Sequence, residues 1–317
     1  MHPAVSPRPT LADLGEHLPG GDVIELPVEL DSPLEHLERY TVLRLIGAGG
    51  MGKVYQAYDG LLERNVALKV MHPDIPEREK RRFRREAILG ARLLHPGLVR
   101  VYDMGVDERG TTEWMAMEYL PGTDLLRLLD ATRARGQAVP WPALVRGLSQ
   151  VLAALQYLHD CRIVHCDVKP ANMFVTRDPN TRFLTTKLLD LGIAYDLDGP
   201  RPSPTDPLCG DPNYLAPEQT VPGGRIDPRT DIYAVGVSLY ELATGVLPFE
   251  ELTTAPLQDL LLAHREHMPP PPSSRMPPDT PPELADRLDW IFARACAKDP
   301  ERRYPSARAM QAALNAM

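Results

Sequence analysis

The run Gly47-Ala48-Gly49-Gly50-Met51-Gly52 lies between two stretches that alternate apolar and polar residues. This placement restricts the fold more than any other feature of the chain. The pattern Gly-x-Gly-x-x-Gly suits a dinucleotide-binding turn, a phosphate flap or a plain glycine turn. A dinucleotide fold would open a helix on the third glycine. Here Lys53-Val54-Tyr55-Gln56-Ala57-Tyr58 alternates as a strand, so the glycines are expected to cap a hairpin. Backbone amides with no side chains over them can close on phosphate oxygens.

The surrounding pattern divides the chain into two unequal parts. Strands are expected at Tyr40–Ile46, Lys53–Tyr58, Asn65–Val70, Leu98–Asp103 and Glu113–Tyr119, with one helix at Glu77–Leu94. That helix would bury Phe83, Ala87, Leu89 and Leu93. After Gly122 helices dominate: Trp141–His159, Asp231–Thr244, Pro256–His267, Leu284–Ala297 and Ser306–Asn315. Short strands interrupt them at Ile163–Val164, Met173–Val175 and Lys187–Leu189. The expectation is an α+β chain, with a small sheet-rich part carrying one helix and a larger helical part. Residues 1–38, rich in Pro, Gly and acid, read as a flexible extension, with docking of a partner as the alternative. The proline-rich run 268–282 reads as a stiff connection between helices, with a docking site for a partner as the alternative.

Charge and cysteines narrow the classes. The 317 residues carry a formal charge of −8, which argues against a nucleic-acid coat. Cys161, Cys166, Cys209 and Cys296 lack the paired spacing of a zinc site. They are expected to be reduced thiols of a cytoplasmic protein. No secretory signal opens the chain. The longest apolar stretch, Ile232–Phe249, is broken by Ser238 and Glu241, and reads as a buried helix without a membrane span.

The densest chemistry is Ile163-Val164-His165-Cys166-Asp167-Val168-Lys169-Pro170-Ala171-Asn172, followed by Asp190-Leu191-Gly192 after an apolar strand. Asp167 suits a proton acceptor for a hydroxyl. Lys169 suits neutralisation of a transferring phosphoryl group. Asn172 and Asp190 supply hard oxygen ligands for magnesium. Upstream, Lys69 stands in a mid-sheet strand and Glu86 on the following helix. Taken singly, each reads as a surface charge; taken together, they make an ammonium held by a carboxylate to grip phosphates.

The ordered set over residues 40–317 resembles the eukaryotic-like protein kinase family, most closely its bacterial serine/threonine members. The resemblance implies a bilobal fold: an N-lobe of about residues 40–117, a hinge of about 118–122 and a C-lobe of about 123–317. It implies ATP and Mg2+ in the cleft. Ile46 and Val54 would cover adenine, Ala67 would pack on it and Phe174 would form the floor. Gly47, Ala48, Gly49, Gly50, Met51, Gly52 and Lys53 would lie over the phosphates, and Lys69 would reach them. Met117, Glu118 and Leu120 would form the gatekeeper and hinge, with Asp124 near the ribose. Asp167, Lys169, Lys69 and Glu86 carry over as catalytic, Asn172 and Asp190 as metal ligands. Ala216-Pro217-Glu218 would end the activation segment, and Arg303 would pair with Glu218. Lys169, two residues after the catalytic aspartate, implies protein substrates with Ser or Thr acceptors.

Three positions depart from the family pattern. Cys166 replaces an arginine that binds an activation-segment phosphate. Such a charge-assisted bond is worth about 1.5–3 kcal/mol, so activity is expected to depend little on phosphorylation at Ser203 or Thr205. Cys166 itself is expected to be a buried, inert thiol. Asp211 stands in place of a threonine that bridges the catalytic aspartate and lysine. Leu191 replaces phenylalanine as an apolar plug. Arg78, Lys80, Arg81, Arg82, Arg84 and Arg85 form a basic helix face, read as solvated, with docking of an acidic partner or lipid headgroups as the alternative. The alternative to an enzyme is a nucleotide-binding pseudokinase or scaffold, which the complete set of charged catalytic positions disfavours.

Overall fold

The structure is a computed structural model that describes residues 36–37, 39–107, 110–177, 183–199 and 208–316. Strands β1 (His36–Leu37), β2 (Tyr40–Gly49), β3 (Gly52–Asp59), β4 (Arg64–Met71), β5 (Val101–Val106) and β6 (Glu113–Glu118) form one antiparallel sheet in the order β1-β2-β3-β4-β6-β5. The β2–β3 hairpin closes with Gly49 opposite Gly52, as the glycine pattern predicts. A Cβ on Gly52 would collide with the Val70 carbonyl, so β3 can lie this close to β4 only with glycine there. The sheet starts earlier than the sequence suggests, because pairing with Tyr40 and Thr41 buries Leu37. The rest of the 1–38 extension lies outside the described residues.

Helix α1 (Glu77–Arg92) packs Phe83 and Ala87 on Met71 and Met115 of the sheet. Glu77 and Glu79 in its first turn and Arg92 in its last complement the helix dipole. Strand β5 begins at Val101, later than the apolar pattern from Leu98 indicates, because Leu98 instead bridges to Leu188 in the second lobe.

The second lobe contains α2 (Leu125–Ala134), α3 (Trp141–Asp160), α4 (Arg229–Thr244), α5 (Leu257–Glu266), α6 (Pro282–Ala295) and α7 (Ala307–Asn315). Apolar periodicity reveals all but α2, whose start depends on Asp124 capping the Arg127 amide at 2.8 Å. Helix α4 is buried on every side, from Thr230 to Leu242, and ends where Gly245 turns left-handed. It is the buried helix expected at Ile232–Phe249. Among the described residues no helix is long and apolar enough to cross a membrane. Strands β7 (Gly122–Asp124), β8 (Ile163–Val164), β9 (Met173–Arg177), β10 (Leu184–Leu188) and β11 (Tyr195–Asp196) form two small sheets, β10-β9-β7 and β11-β8, whose Ile163, Met173, Val175 and Leu188 join the core of this lobe. The proline-rich run folds back on α6: Pro272 is buried, and Asp289 accepts hydrogen bonds from the Ser273 amide and hydroxyl.

Beneath the end of the activation segment, His264 is fully buried and shares a 2.9 Å hydrogen bond with Tyr233. Burial, aided by the Lys298 ammonium, holds the imidazole down at about 4, against an ordinary value of 6.5. As pH falls below 6.5 the unfolded chain therefore takes up a proton that the folded chain refuses. This contribution is complete above pH 6.5 and is lost towards pH 4, by about 3 kcal/mol in all. Urea titrations between pH 7 and 4.5 should show a flatter decline for His264→Gln than for wild type. An identical decline would exclude His264 as its source.

Candidate active site

The cleft is assembled from three segments far apart in sequence. Strand β4 presents Lys69 to Glu86 on α1, and its Nζ donates to Glu86 Oε1 and Oε2 at 2.9 and 2.7 Å. Burial pushes the Glu86 carboxyl up to about 7, against the pull of Lys69. Burial also works to lower Lys69, but Glu86 and Asp190 outweigh it and hold the ammonium above its ordinary value. The Asp190-Leu191-Gly192 turn sits below this pair: a Cβ on Gly192 would be 3.6 Å from Glu86 Oε2. Burial opposes ionisation of Asp190, yet Lys69 and the Gly192 amide keep its carboxyl below the usual range. Lys69, Glu86 and Asp190 thus form one electrostatic unit.

Asp167 occupies the loop after β8. Its Oδ2 accepts from Asn172 Nδ2 at 3.0 Å and from Lys169 Nζ at 3.1 Å. Its Oδ1 accepts from Lys169 Nζ at 3.2 Å and from the Asp211 amide at 3.2 Å. The carboxylate is therefore held from several directions while 13% of its side chain stays exposed. His165 ties this loop to the Asp190 turn: its Nε2 bonds the Leu189 carbonyl at 2.9 Å, and its Nδ1 accepts the Asp167 amide at 3.2 Å. With Nδ1 accepting, Nε2 is the donor.

The loop rests on Asp231, the fully buried acid in the first turn of α4. Asp231 Oδ2 accepts the His165 amide at 2.9 Å and bonds His159 Nε2 at 2.8 Å, while Oδ1 accepts the Cys166 amide at 2.9 Å. Sequence reasoning placed Asp231 only at a helix start, and missed His159 altogether. A buried acid opening an otherwise apolar helix was the signal available.

The remaining expected positions fall around the same cleft. Ile46 and the glycine run are on β2 and its turn, Lys53 and Val54 on β3, and Ala67 faces Met117 across the β4–β6 pair. Glu118 ends β6, with Leu120 just beyond it. The Glu118 side chain is committed to Lys187 Nζ at 2.7 Å, so its carboxylate is not free to meet a base. Phe174 pairs with Asp124 between β9 and β7. Asp124 has a capping duty beside the expected ribose contact.

The three departures take defined positions. Cys166 is half-buried where a buried residue is expected, but desolvation of its thiol, then the Asp231 carboxylate, push it well above its ordinary range, which suits an inert thiol. Asp211 Oδ2 is 3.8 Å from Lys169 Nζ, and Oδ1 accepts the Asn213 amide. The backbone of Asp211 thus meets Asp167 while its side chain faces Lys169. Leu191 is buried, as an apolar plug should be. The basic face of α1 is less solvated than its sequence suggests. Arg82 Nη2 lies 2.6 Å and Arg78 Nη2 3.7 Å from Cys209 Sγ in the activation segment, and Arg84 pairs with Glu77 and Glu113. Ser203 and Thr205 lie outside the described residues.

The comparisons with known proteins agree with this geometry. The protein kinase domain model matches residues 40–314. The serine/threonine-protein kinase pkn3 of Myxococcus xanthus is 38% identical over 289 residues, 88% of this chain and 50% of its own length. PrkC of Bacillus subtilis, another serine/threonine-protein kinase, is 36% identical over 276 residues, 86% of this chain and 40% of its own length. This chain thus spans half or less of the length of these relatives. The crystal structure of the Mycobacterium tuberculosis PknI kinase domain superimposes with a TM-score of 0.65 at 30% identity, covering 89% of this chain and 97% of that one. The chain belongs to the protein kinase family, among its bacterial serine/threonine members.

Proposed function

We propose that this chain transfers the γ-phosphoryl group of ATP, with Mg2+, to Ser or Thr hydroxyls of protein substrates. The observation that carries this reading is the state of Asp167: an ionisable oxygen pair held by Asn172, Lys169 and the Asp211 amide, yet still open to the cleft. A general base must be fixed in place and reachable by the hydroxyl. Lys69, locked by Glu86, is the cation positioned for the nucleotide phosphates. Lys169 supplies positive charge beside the base, where charge develops on the transferring group.

The donor set fits a hard divalent cation. Asn172 turns its amide nitrogen to the Asp167 carbonyl and carboxylate, which leaves its oxygen for a metal. Asp190 is kept ionised by Lys69. Among the described residues, no group of three or more His, Cys, Asp or Glu would hold an ion alone. Magnesium commonly takes one or two protein oxygens and completes its shell with phosphate and water. Bound there, it would neutralise charge on the phosphates. The glycine hairpin would cover the phosphates through its amides, with Ile46, Val54, Ala67, Met117, Leu120 and Phe174 around the base and Asp124 at the ribose.

Incubation with labelled ATP, Mg2+ and a basic protein mixture should give phosphoserine and phosphothreonine. The absence of any transfer, with nucleotide still bound, would favour the scaffold alternative. Because Cys166 offers no cation to an activation-segment phosphate, Ser203→Ala combined with Thr205→Ala should leave turnover essentially intact. Abolished catalysis in that variant would overturn phosphorylation-independent activity.

A further inference from the structure

Cys166 adopts a left-handed backbone with φ of 67°, a conformation that costs a residue with a Cβ about 1–2 kcal/mol. Something must hold it. Asp231 grips one side through the His165 and Cys166 amides. The other side is the Cys166 carbonyl, which accepts from Gln219 Nε2 at 3.1 Å. Gln219 is itself fixed, because its Oε1 accepts the Ala216 amide at 2.9 Å. It sits in the short turn Pro217–Thr220, whose Glu218 is clamped by Arg303 at 2.8 Å through both oxygens.

The Cys166 carbonyl belongs to the peptide that leads into Asp167. The amide of that same peptide donates to His165 Nδ1. Gln219 and His165 therefore pin the two ends of one peptide plane, and that plane sets the direction of the Asp167 side chain. Gly210 crosses the same point: its φ is 102°, and a Cβ there would be 3.2 Å from the Cys166 carbonyl oxygen. The next amide, of Asp211, reaches Asp167 Oδ1. The Cys166 carbonyl thus joins the catalytic loop to Gln219, with Gly210 of the same segment packed close against it.

We propose that Gln219 is a positioning residue for Asp167, aligning the base through the Cys166 carbonyl. The role rests on the proposed phosphotransfer and goes beyond it, since Gln219 touches neither nucleotide nor metal. Two variants separate its parts. Gln219→Leu removes donor and acceptor at similar size. Gln219→Glu keeps the oxygen that accepts the Ala216 amide and replaces the donor to Cys166 with a carboxylate oxygen that the carbonyl repels.

Steady-state kinetics with a fixed protein substrate, nucleotide binding and thermal unfolding are read for both variants and wild type. The expected result is a fall in kcat of about tenfold or more in each variant, from misalignment of the base. KM for ATP, nucleotide affinity and the unfolding midpoint should stay near wild type. Activity in Gln219→Glu close to wild type would overturn the proposal, because the donor bond would then be dispensable. A loss that follows a lowered unfolding midpoint, or a raised KM for ATP with kcat intact, would overturn it as well. Absence of transfer by wild type itself would sink the phosphotransfer reading first, which keeps the two failures apart.

Discussion

Replacing Asp167 with Asn will lower kcat by about a thousandfold, while nucleotide affinity changes by less than about threefold. The substitution keeps the size of the side chain and one carbonyl oxygen. It removes the charge that Lys169 and Asn172 hold in place at 3.0–3.2 Å, and with it the ability to accept the hydroxyl proton. Lys69 is held by Glu86 and Asp190 and not by Asp167, so the nucleotide grip survives. Initial rates with labelled ATP, beside calorimetric titration of nucleotide, test both halves. A variant with more than a tenth of wild-type kcat would show that Asp167 is not the base.

Arg303→Met should destabilise the fold by about 3–5 kcal/mol. The Arg303 side chain is fully buried and Glu218 is nearly so. The guanidinium donates to both Glu218 oxygens and to the carbonyls of Ala297, Arg229 and Lys298. Removing it strands a carboxylate in the interior, with Thr230 as its remaining side-chain donor among the described residues, and leaves three carbonyls short of a partner. Adding Glu218→Gln should recover part of the loss, because the stranded charge disappears. Urea denaturation gives both values. A loss below about 1 kcal/mol in the single variant would mean that solvent replaces the arginine with ease. The same pair anchors the turn that carries Gln219, so folded Arg303→Met should also lose turnover.

Much of the fold was legible in advance because its signals are local. The switch from strand alternation to helical spacing near Gly122 marks the two lobes. The strand after Gly52 rules out a dinucleotide turn and requires a hairpin. Where reading failed, the cause was tertiary. Leu98 looks like the start of a strand, but its partner is Leu188 in the other lobe. Helix α2 is short and begins on a cap that resembles a ligand residue. Leu37 looks like part of a loose extension until Tyr40 supplies its pairing partner.

The candidate site divides in the same way. Residue identity and order were enough to select Lys69, Glu86, Asp167, Lys169, Asn172 and Asp190, because phosphoryl transfer needs those charges and oxygens whatever holds them. What orients them was not visible. Asp231, His165 and Gln219 act through contacts to main-chain amides and carbonyls, and a backbone contact leaves no mark on which residue stands opposite. The basic face of α1 is the converse case. Its charges were plain, but only the packed activation segment shows Arg78 and Arg82 turned towards Cys209.

The amino-acid order alone pointed to the chemistry proposed for this chain and to most of its strands and helices, since side-chain type and short-range periodicity are properties of neighbours along the chain. The tertiary structure alone decided how the base is aimed: a left-handed Cys166, gripped by Asp231 on one side and Gln219 on the other. The reason is physical. Direction comes from hydrogen bonds between residues more than fifty positions apart, and those distances exist only after the chain has folded.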